Sequence, residues 1–185
     1  MTIWEAIAAL LGLANVWLVV RRSVWNYPFG LAMVALYFFV FWEAKLYSDA
    51  LLQIFFFAIQ LYGWWNWVRA PKVDDGIMVE RMGNAARFNW LAVTVLASLA
   101  WGFGMHRLTD AAAPFVDATV AGFSVAAQLL QSLRRFESWA LWIAVDVIAV
   151  GLYAWKGLFL TSGLYLIFLL MAVAGFVEWR RKLVA

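Results

Sequence analysis

Apolar residues run through this chain in long blocks, with most of the charged residues confined to short breaks between them. Seven blocks stand out, at about 3–20, 28–44, 50–68, 89–105, 112–132, 138–155 and 158–179. The breaks are Arg21-Arg22, Glu43 to Lys45, the 69–87 segment, His106-Arg107, Arg134-Arg135 and Lys156. A hydrocarbon layer takes roughly 20 helical residues to cross, and a helix satisfies its own backbone there without water. The pattern therefore predicts an all-α integral membrane protein with seven transmembrane helices, several of them short for a perpendicular crossing.

Composition agrees with that pattern. The 185 residues are 66% hydrophobic and 14% charged, against about 25% charged in soluble chains. No loop is long enough to fold alone, so the expectation is one membrane domain over residues 1–185. Its parts are a first three-helix unit (1–68), a connector with the fourth span (69–110) and a second three-helix unit (111–185). The absence of cysteine excludes disulfides and thiolate metal sites. His106, the one histidine, lies beside Arg107 in a break, and no P-loop pattern is present. Neither an enzyme nor a cofactor or metal is expected. The formal charge of +3 does not call for a nucleic-acid partner, because the cations flank spans, where topology explains them.

Those cations also orient the chain. Seven crossings put Arg21, Arg22, Arg69, Lys72, Arg81, Arg87, Arg134, Arg135, Arg180, Arg181 and Lys182 on one side, and only Lys45, Arg107 and Lys156 on the other. The positive-inside rule then places the N-terminus outside and the C-terminus in the cytoplasm. The cations follow the first apolar block instead of preceding it, so that block is expected to be a retained helix and not a cleaved signal.

The two halves resemble each other. Residues 45–67 lie on 157–179 without a gap, which pairs Leu46 with Leu158, Tyr47 with Phe159, Gly63 with Gly175 and Trp67 with Trp179. Upstream, Arg21-Arg22 with Trp25 is matched to Arg134-Arg135 with Trp139. Two three-span units fused directly would be inverted; an extra fourth span lets them run parallel, a SWEET-like 3+1+3 plan with a site between the halves.

Polar residues inside the blocks fall on helical faces. Asp49, Gln53, Gln60, Trp64 and Trp67 share one stripe of the third block, and Ser124, Gln128 and Gln131 one of the fifth. Trp139, Trp142, Asp146, Tyr153 and Lys156 line the sixth, and Thr161 and Tyr165 the seventh. A glutamine in a span often only bonds a neighbouring helix, for roughly 0.6–2 kcal/mol. Tryptophans near span ends are ordinarily interfacial anchors, which is the expectation for Trp65, Trp67 and Trp179. Lys156 is expected to snorkel, and Gly12 and Gly63 to serve helix packing. Asp146 differs: a carboxylate at mid-span costs about 2.5–3.5 kcal/mol to insert, which points to a function. Amides, hydroxyls, one carboxylate and flat aromatic faces suit a small, hydroxylated, flat-ringed and cationic solute.

These residues carry a resemblance. WNYPFG (25–30), KLYSDALLQIFF with QLYGWWNW (45–67), and the stretch 123–179 are similar to the Pnu-type vitamin transporters, a resemblance that covers nearly the whole chain except the 70–110 connector. The resemblance implies a homotrimeric bacterial inner-membrane protein of SWEET-like fold that carries a vitamin, nicotinamide riboside first, by facilitated diffusion. It further implies trapping by a cytoplasmic vitamin kinase. By matching positions it makes Gln53, Gln128, Trp142, Asp146, Tyr153, Thr161 and Tyr165 the substrate-binding candidates, beside Asp49, Gln60, Trp64, Gln131 and Trp139. Asp146 stands where the family's W-x-x-x-N pattern has asparagine, and Met33 near a place where members carry a polar residue. Nicotinamide riboside and thiamine are both flat-ringed cations, and relatives also carry riboflavin, so the substrate stays open. Readings of other classes are a membrane scaffold, whose polar stripes only join helices, and a channel.

Overall fold

Each apolar block becomes one helix in the computed structural model, which describes residues 3–43, 47–108, 113–155 and 157–183. The helices are α1 (Ile3–Val20), α2 (Asn26–Glu43), α3 (Tyr47–Val68), α4 (Asn84–Leu108), α5 (Pro114–Ser132), α6 (Ser138–Trp155) and α7 (Phe159–Arg181). Lys45, Leu46 and Lys156 lie outside the described residues, and with them the snorkelling of Lys156 and one pair of the internal match. Helix α4 extends beyond its 89–105 block at both ends. Its polar first turn is too hydrophilic to read as span, yet Arg87 is held there by the Glu137 carboxylate at 2.7 Å.

By length and apolarity α1, α4, α6 and α7 are able to cross a membrane. Helices α2, α3 and α5 carry the amides Asn26, Gln53, Gln60, Asn66, Gln128 and Gln131. Packing explains why that polarity is tolerated. Neighbour follows neighbour in a closed ring: α1 on α2, α2 on α3, α3 on α5, α5 on α6, α6 on α7, and α7 back on α1. Amides on α3 and α5 can therefore face the inside of a ring instead of lipid.

Helix α4 stands outside the ring and packs on α5. Thr94, Ser98 and Gly102 recur every fourth residue and are buried. Gly122 of α5 receives the Ser98 side chain, and Gly102 lies against Phe115. With no hydrophobic drive between helices in lipid, such small residues gain close van der Waals approach.

Two helix ends are built alike. At the end of α1, Arg22 adopts a left-handed φ of 55°, and the Arg22 and Ser23 amides donate to the Val19 and Leu18 carbonyls. At the end of α5, Arg134 has φ 60°, and the Arg134 and Arg135 amides donate to Gln131 and Leu130. Both are Schellman-type ends that use arginine where glycine is usual. A short hairpin, β1 (Lys72–Val73) and β2 (Gly76–Ile77), closes over them through Asp74. The Ile77 amide donates to the Arg22 carbonyl, and the Glu80 amide to the Arg134 carbonyl. The Arg22 guanidinium is buried and donates to the Val73 and Ile77 carbonyls and to Asp75. Glu80 pairs with Arg134 and Arg135, and Lys182 with Asp74. Much of the cationic side is thus built into one end of the bundle.

Two expectations are corrected here. Trp67 and Trp179 are not interfacial anchors: each is 0% exposed. Their rings meet at 6.0 Å within a core that also holds Tyr27 and Trp139. The Trp67 indole donates to the Gln131 carbonyl at 3.0 Å, and the Trp179 indole to the Val19 carbonyl at 3.1 Å. Trp65, by contrast, is exposed, with the Arg69 guanidinium 4.2 Å above its ring. Nor do Trp25 and Trp139 occupy like places, since the first is 70% exposed and the second 1%. Tyr27 matches Trp139: it meets Trp67 edge-on at 5.5 Å, as Trp139 meets Trp179 at 5.5 Å.

Candidate functional site

The ring of helices encloses a cavity of about 1170 Å³. All six ring helices line it, and among the described residues α4 contributes none. From α3 come Gln53 and Gln60, from α5 Ser124, Gln128 and Gln131, from α6 Trp139, Trp142, Asp146 and Tyr153, and from α7 Thr161 and Tyr165. The helical faces that share a stripe in the sequence therefore converge on one space.

Two candidates do not reach it. Asp49 is exposed at the start of α3, and Trp64 packs on the tryptophan core at the other end of that helix. The third-block stripe is longer than the cavity, so its ends serve other surroundings. The sequence reading also missed lining from the first two helices: Glu5, Gly12 and Asn15 on α1, and Tyr37 on α2, beside Met33, noted there only as a departure from the family. Asn15 was visible as an amide in mid-block, and Glu5 as a carboxylate just inside one. Gly12 faces the cavity, where an added Cβ would lie 3.0 Å from the Met33 sulfur and 3.3 Å from the Phe168 ring.

The two sides of the wall differ chemically. On the α1–α3 side amides gather: Gln60 and Asn15 converge on the bare Cα of Gly30, and Asn15 donates to the Asn26 carbonyl at 2.8 Å. No side chain with a Cβ fits at Gly30 without displacing both. On the α6–α7 side the wall is aromatic. Tyr153 and Tyr165 stack at 5.2 Å. The Trp142 indole N–H donates to the Gln131 side-chain oxygen at 2.8 Å, which fixes the plane of that ring. One turn further along α6 lies Asp146, 5% exposed. Among the described residues it makes no hydrogen bond and no ion pair. A carboxylate removed from water without a partner is costly, and a donor or cation placed in the cavity would relieve that cost.

A closed ring of membrane helices around a largely apolar, vitamin-sized space with a few convergent polar groups is the arrangement of a small-solute transporter. Comparison with known proteins agrees. The family model described as nicotinamide mononucleotide transporter matches residues 2–181, running through the connector that had looked dissimilar. The chain belongs to that family of multi-pass membrane transporters, and not to the enzymes. It is 28% identical to the nicotinamide riboside transporter PnuC of Escherichia coli K12, over 95% of this chain and 84% of the relative. It is 27% identical to the riboflavin/roseoflavin transporter RibM of Streptomyces davaonensis, over 96% and 84%. The crystal structure of the vitamin B3 transporter PnuC superposes with a TM-score of 0.80 at 26% identity, covering 97% of this chain and 81% of that one.

Proposed function

We propose that this protein carries nicotinamide riboside across the bacterial inner membrane by facilitated diffusion, and that phosphorylation in the cytoplasm draws uptake forward. The observation that carries the reading is Asp146: a buried, unpartnered carboxylate one turn from an indole whose plane is fixed. A pyridinium ring supplies both the positive charge and the flat face that this pair suits. The ribose hydroxyls match the amides opposite. Gln53, Gln128, Trp142, Asp146, Tyr153, Thr161 and Tyr165 are proposed as substrate ligands, with Gln60, Gln131 and Trp139 behind them. Thiamine, also a flat-ringed cation, is the second reading on the same observation. Riboflavin, the cargo in the name of one relative, is neutral and would leave Asp146 unpaired.

The architecture proposed is two parallel three-helix repeats, α1–α3 and α5–α7, joined through α4. Support comes from contacts that correspond at one constant spacing, the spacing that takes Trp67 to Trp179. It takes Arg22 to Arg134 and Tyr27 to Trp139, and the acceptor Val19 to the acceptor Gln131. Each half thus donates an indole N–H to the same place on the other. The cation-rich end, where α7 ends, is proposed to face the cytoplasm, and the assembly is proposed to be a homotrimer.

The test is a set of binding titrations on purified protein with nicotinamide riboside, thiamine and riboflavin. Tight binding of nicotinamide riboside alone is expected. Preference for riboflavin, or no binding of any of the three, refutes the substrate assignment.

A further inference from the structure

Gln131, a residue of the cavity wall, bonds in two directions. Its side-chain oxygen accepts the Trp142 indole N–H at 2.8 Å, inside the cavity wall. Its main-chain carbonyl accepts the Trp67 indole N–H at 3.0 Å and the Arg134 amide at 2.9 Å, at the closed end of the bundle. The residue is only 7% exposed, so neither bond competes freely with water. One amino acid therefore touches the proposed ligand-facing indole and the joint between α3 and α5. Beside that joint, Asn66 donates to the Ser132 carbonyl and Ser132 to the Ile59 carbonyl.

The corresponding joint on the other side of the ring lacks this connection. There the Trp179 indole donates to the Val19 carbonyl, and an isopropyl group offers no acceptor to the cavity. The position corresponding to Trp142 is Gly30, which has no side chain to hold. Two joints alike in their main-chain bonds thus differ in whether the cavity can pull on them.

We propose that Gln131 is a positioning residue that couples occupancy of the cavity to the α3–α5 joint, so that this joint, and not α1–α7, responds when substrate binds. The proposal rests on the cavity being the substrate site. A ligand that stacks on Trp142 shifts the indole together with the Gln131 side chain that holds its plane, and the main-chain carbonyl of the same Gln131 docks Trp67. The Asn66 and Ser132 bonds move with the same helix end. The α1–α7 joint receives no such displacement and serves as the fixed side. A transporter needs a differential contact of this kind, because a ligand shifts a conformational equilibrium only by what it changes between the two states.

The test is amide hydrogen exchange on the full-length protein, with and without nicotinamide riboside, in the unaltered chain and in Gln131→Leu, Trp142→Phe and the double variant. Leucine keeps the volume of glutamine without its acceptor; phenylalanine keeps a flat face without the N–H donor. In the unaltered protein, ligand should change exchange of the amides at 63–70 and 131–136 and leave those at 17–23 unchanged. Each single variant should bind roughly 2- to 10-fold more weakly, the worth of one hydrogen bond, and should lose the ligand-dependent change. The double variant should be no worse than either single one, since both remove the same bond. A variant that binds and keeps the change, or losses that add, overturns the coupling. An equal response at 17–23 overturns the asymmetry. Failure of nicotinamide riboside to bind the unaltered chain overturns the substrate reading and this proposal with it, whereas binding without any change in exchange overturns the coupling alone. Where Gln131→Leu does not fold, Trp142→Phe reads the same bond from its other end.

Discussion

Replacing Asp146 by asparagine isolates the charge at the proposed site. The side chain keeps its size and a hydrogen-bonding oxygen but loses its negative charge. Two unit charges about 4 Å apart attract by roughly 4 kcal/mol at an effective dielectric near 20. Part of that attraction is offset, since carboxylate and cation both give up water in the complex. Asp146 is already 5% exposed and unpartnered among the described residues, so much of its own desolvation is incurred before ligand arrives. A net loss of about 1–2 kcal/mol is expected, or roughly 5- to 30-fold in Kd for a cationic vitamin. A neutral flavin should bind the two proteins equally. Raising the salt concentration should leave the difference standing, because a buried pair is weakly screened. Isothermal titration of both proteins with nicotinamide riboside and riboflavin, at low and high salt, measures all three effects. Unchanged affinities together with an altered melting temperature would show that the carboxylate supports the fold, and the assignment of α6 as the ligand-bearing helix would fall.

Trp67→Phe and Trp179→Phe each remove one indole donor from a buried carbonyl and should lower stability by about 1–2 kcal/mol, read as a fall in Tm in detergent. Equal effects are expected from the two, and a neutral result for either refutes its structural role. Gly175→Ala places a methyl group against the Trp139 ring, where overpacking should cost about 1–3 kcal/mol, whereas Gly151→Ala meets open space and should be tolerated. A reporter fused after α7 should be active only in the cytoplasm; activity outside would overturn both the orientation and the parallel repeats. In vesicles without a kinase, nicotinamide riboside should equilibrate and not accumulate, and accumulation driven by a proton or sodium gradient would make Asp146 the first residue to examine as a coupling site.

The helices were legible because apolar blocks and charged breaks alternate so sharply: α1 and α6 keep the bounds read from their blocks. The cavity face was legible on α3, α5, α6 and α7 because an amide or carboxylate in hydrocarbon must turn inward. It was harder to see on α1 and α2, whose lining is mostly Gly12, Val16, Met33, Val34 and Tyr37, residues that would sit as easily against lipid. Trp67 and Trp179 were misjudged for a related reason. An indole at a span end looks the same in sequence whether its N–H meets a headgroup or a carbonyl on a distant helix. The hairpin at 72–77 was read only as a charged break, since two-residue strands carry no periodicity. The match between the halves is legible in α3 and α7, yet its register slips upstream, because each arginine pair offers two residues and only one, Arg22 or Arg134, takes the left-handed place at the helix end.

The paired indole bonds also set an order of assembly. The carbonyl that receives Trp67 lies 64 residues further along the chain, and the carbonyl that receives Trp179 lies 160 residues back. As the polypeptide leaves the ribosome, α3 enters the membrane with its docking partner not yet made, while α1 waits from the first turn of synthesis for the last. The ring cannot close one half at a time. A chain broken off just before Trp179 would have inserted nearly all its helices and still leave the first joint open, so the final residues of α7 decide whether the whole bundle has finished folding.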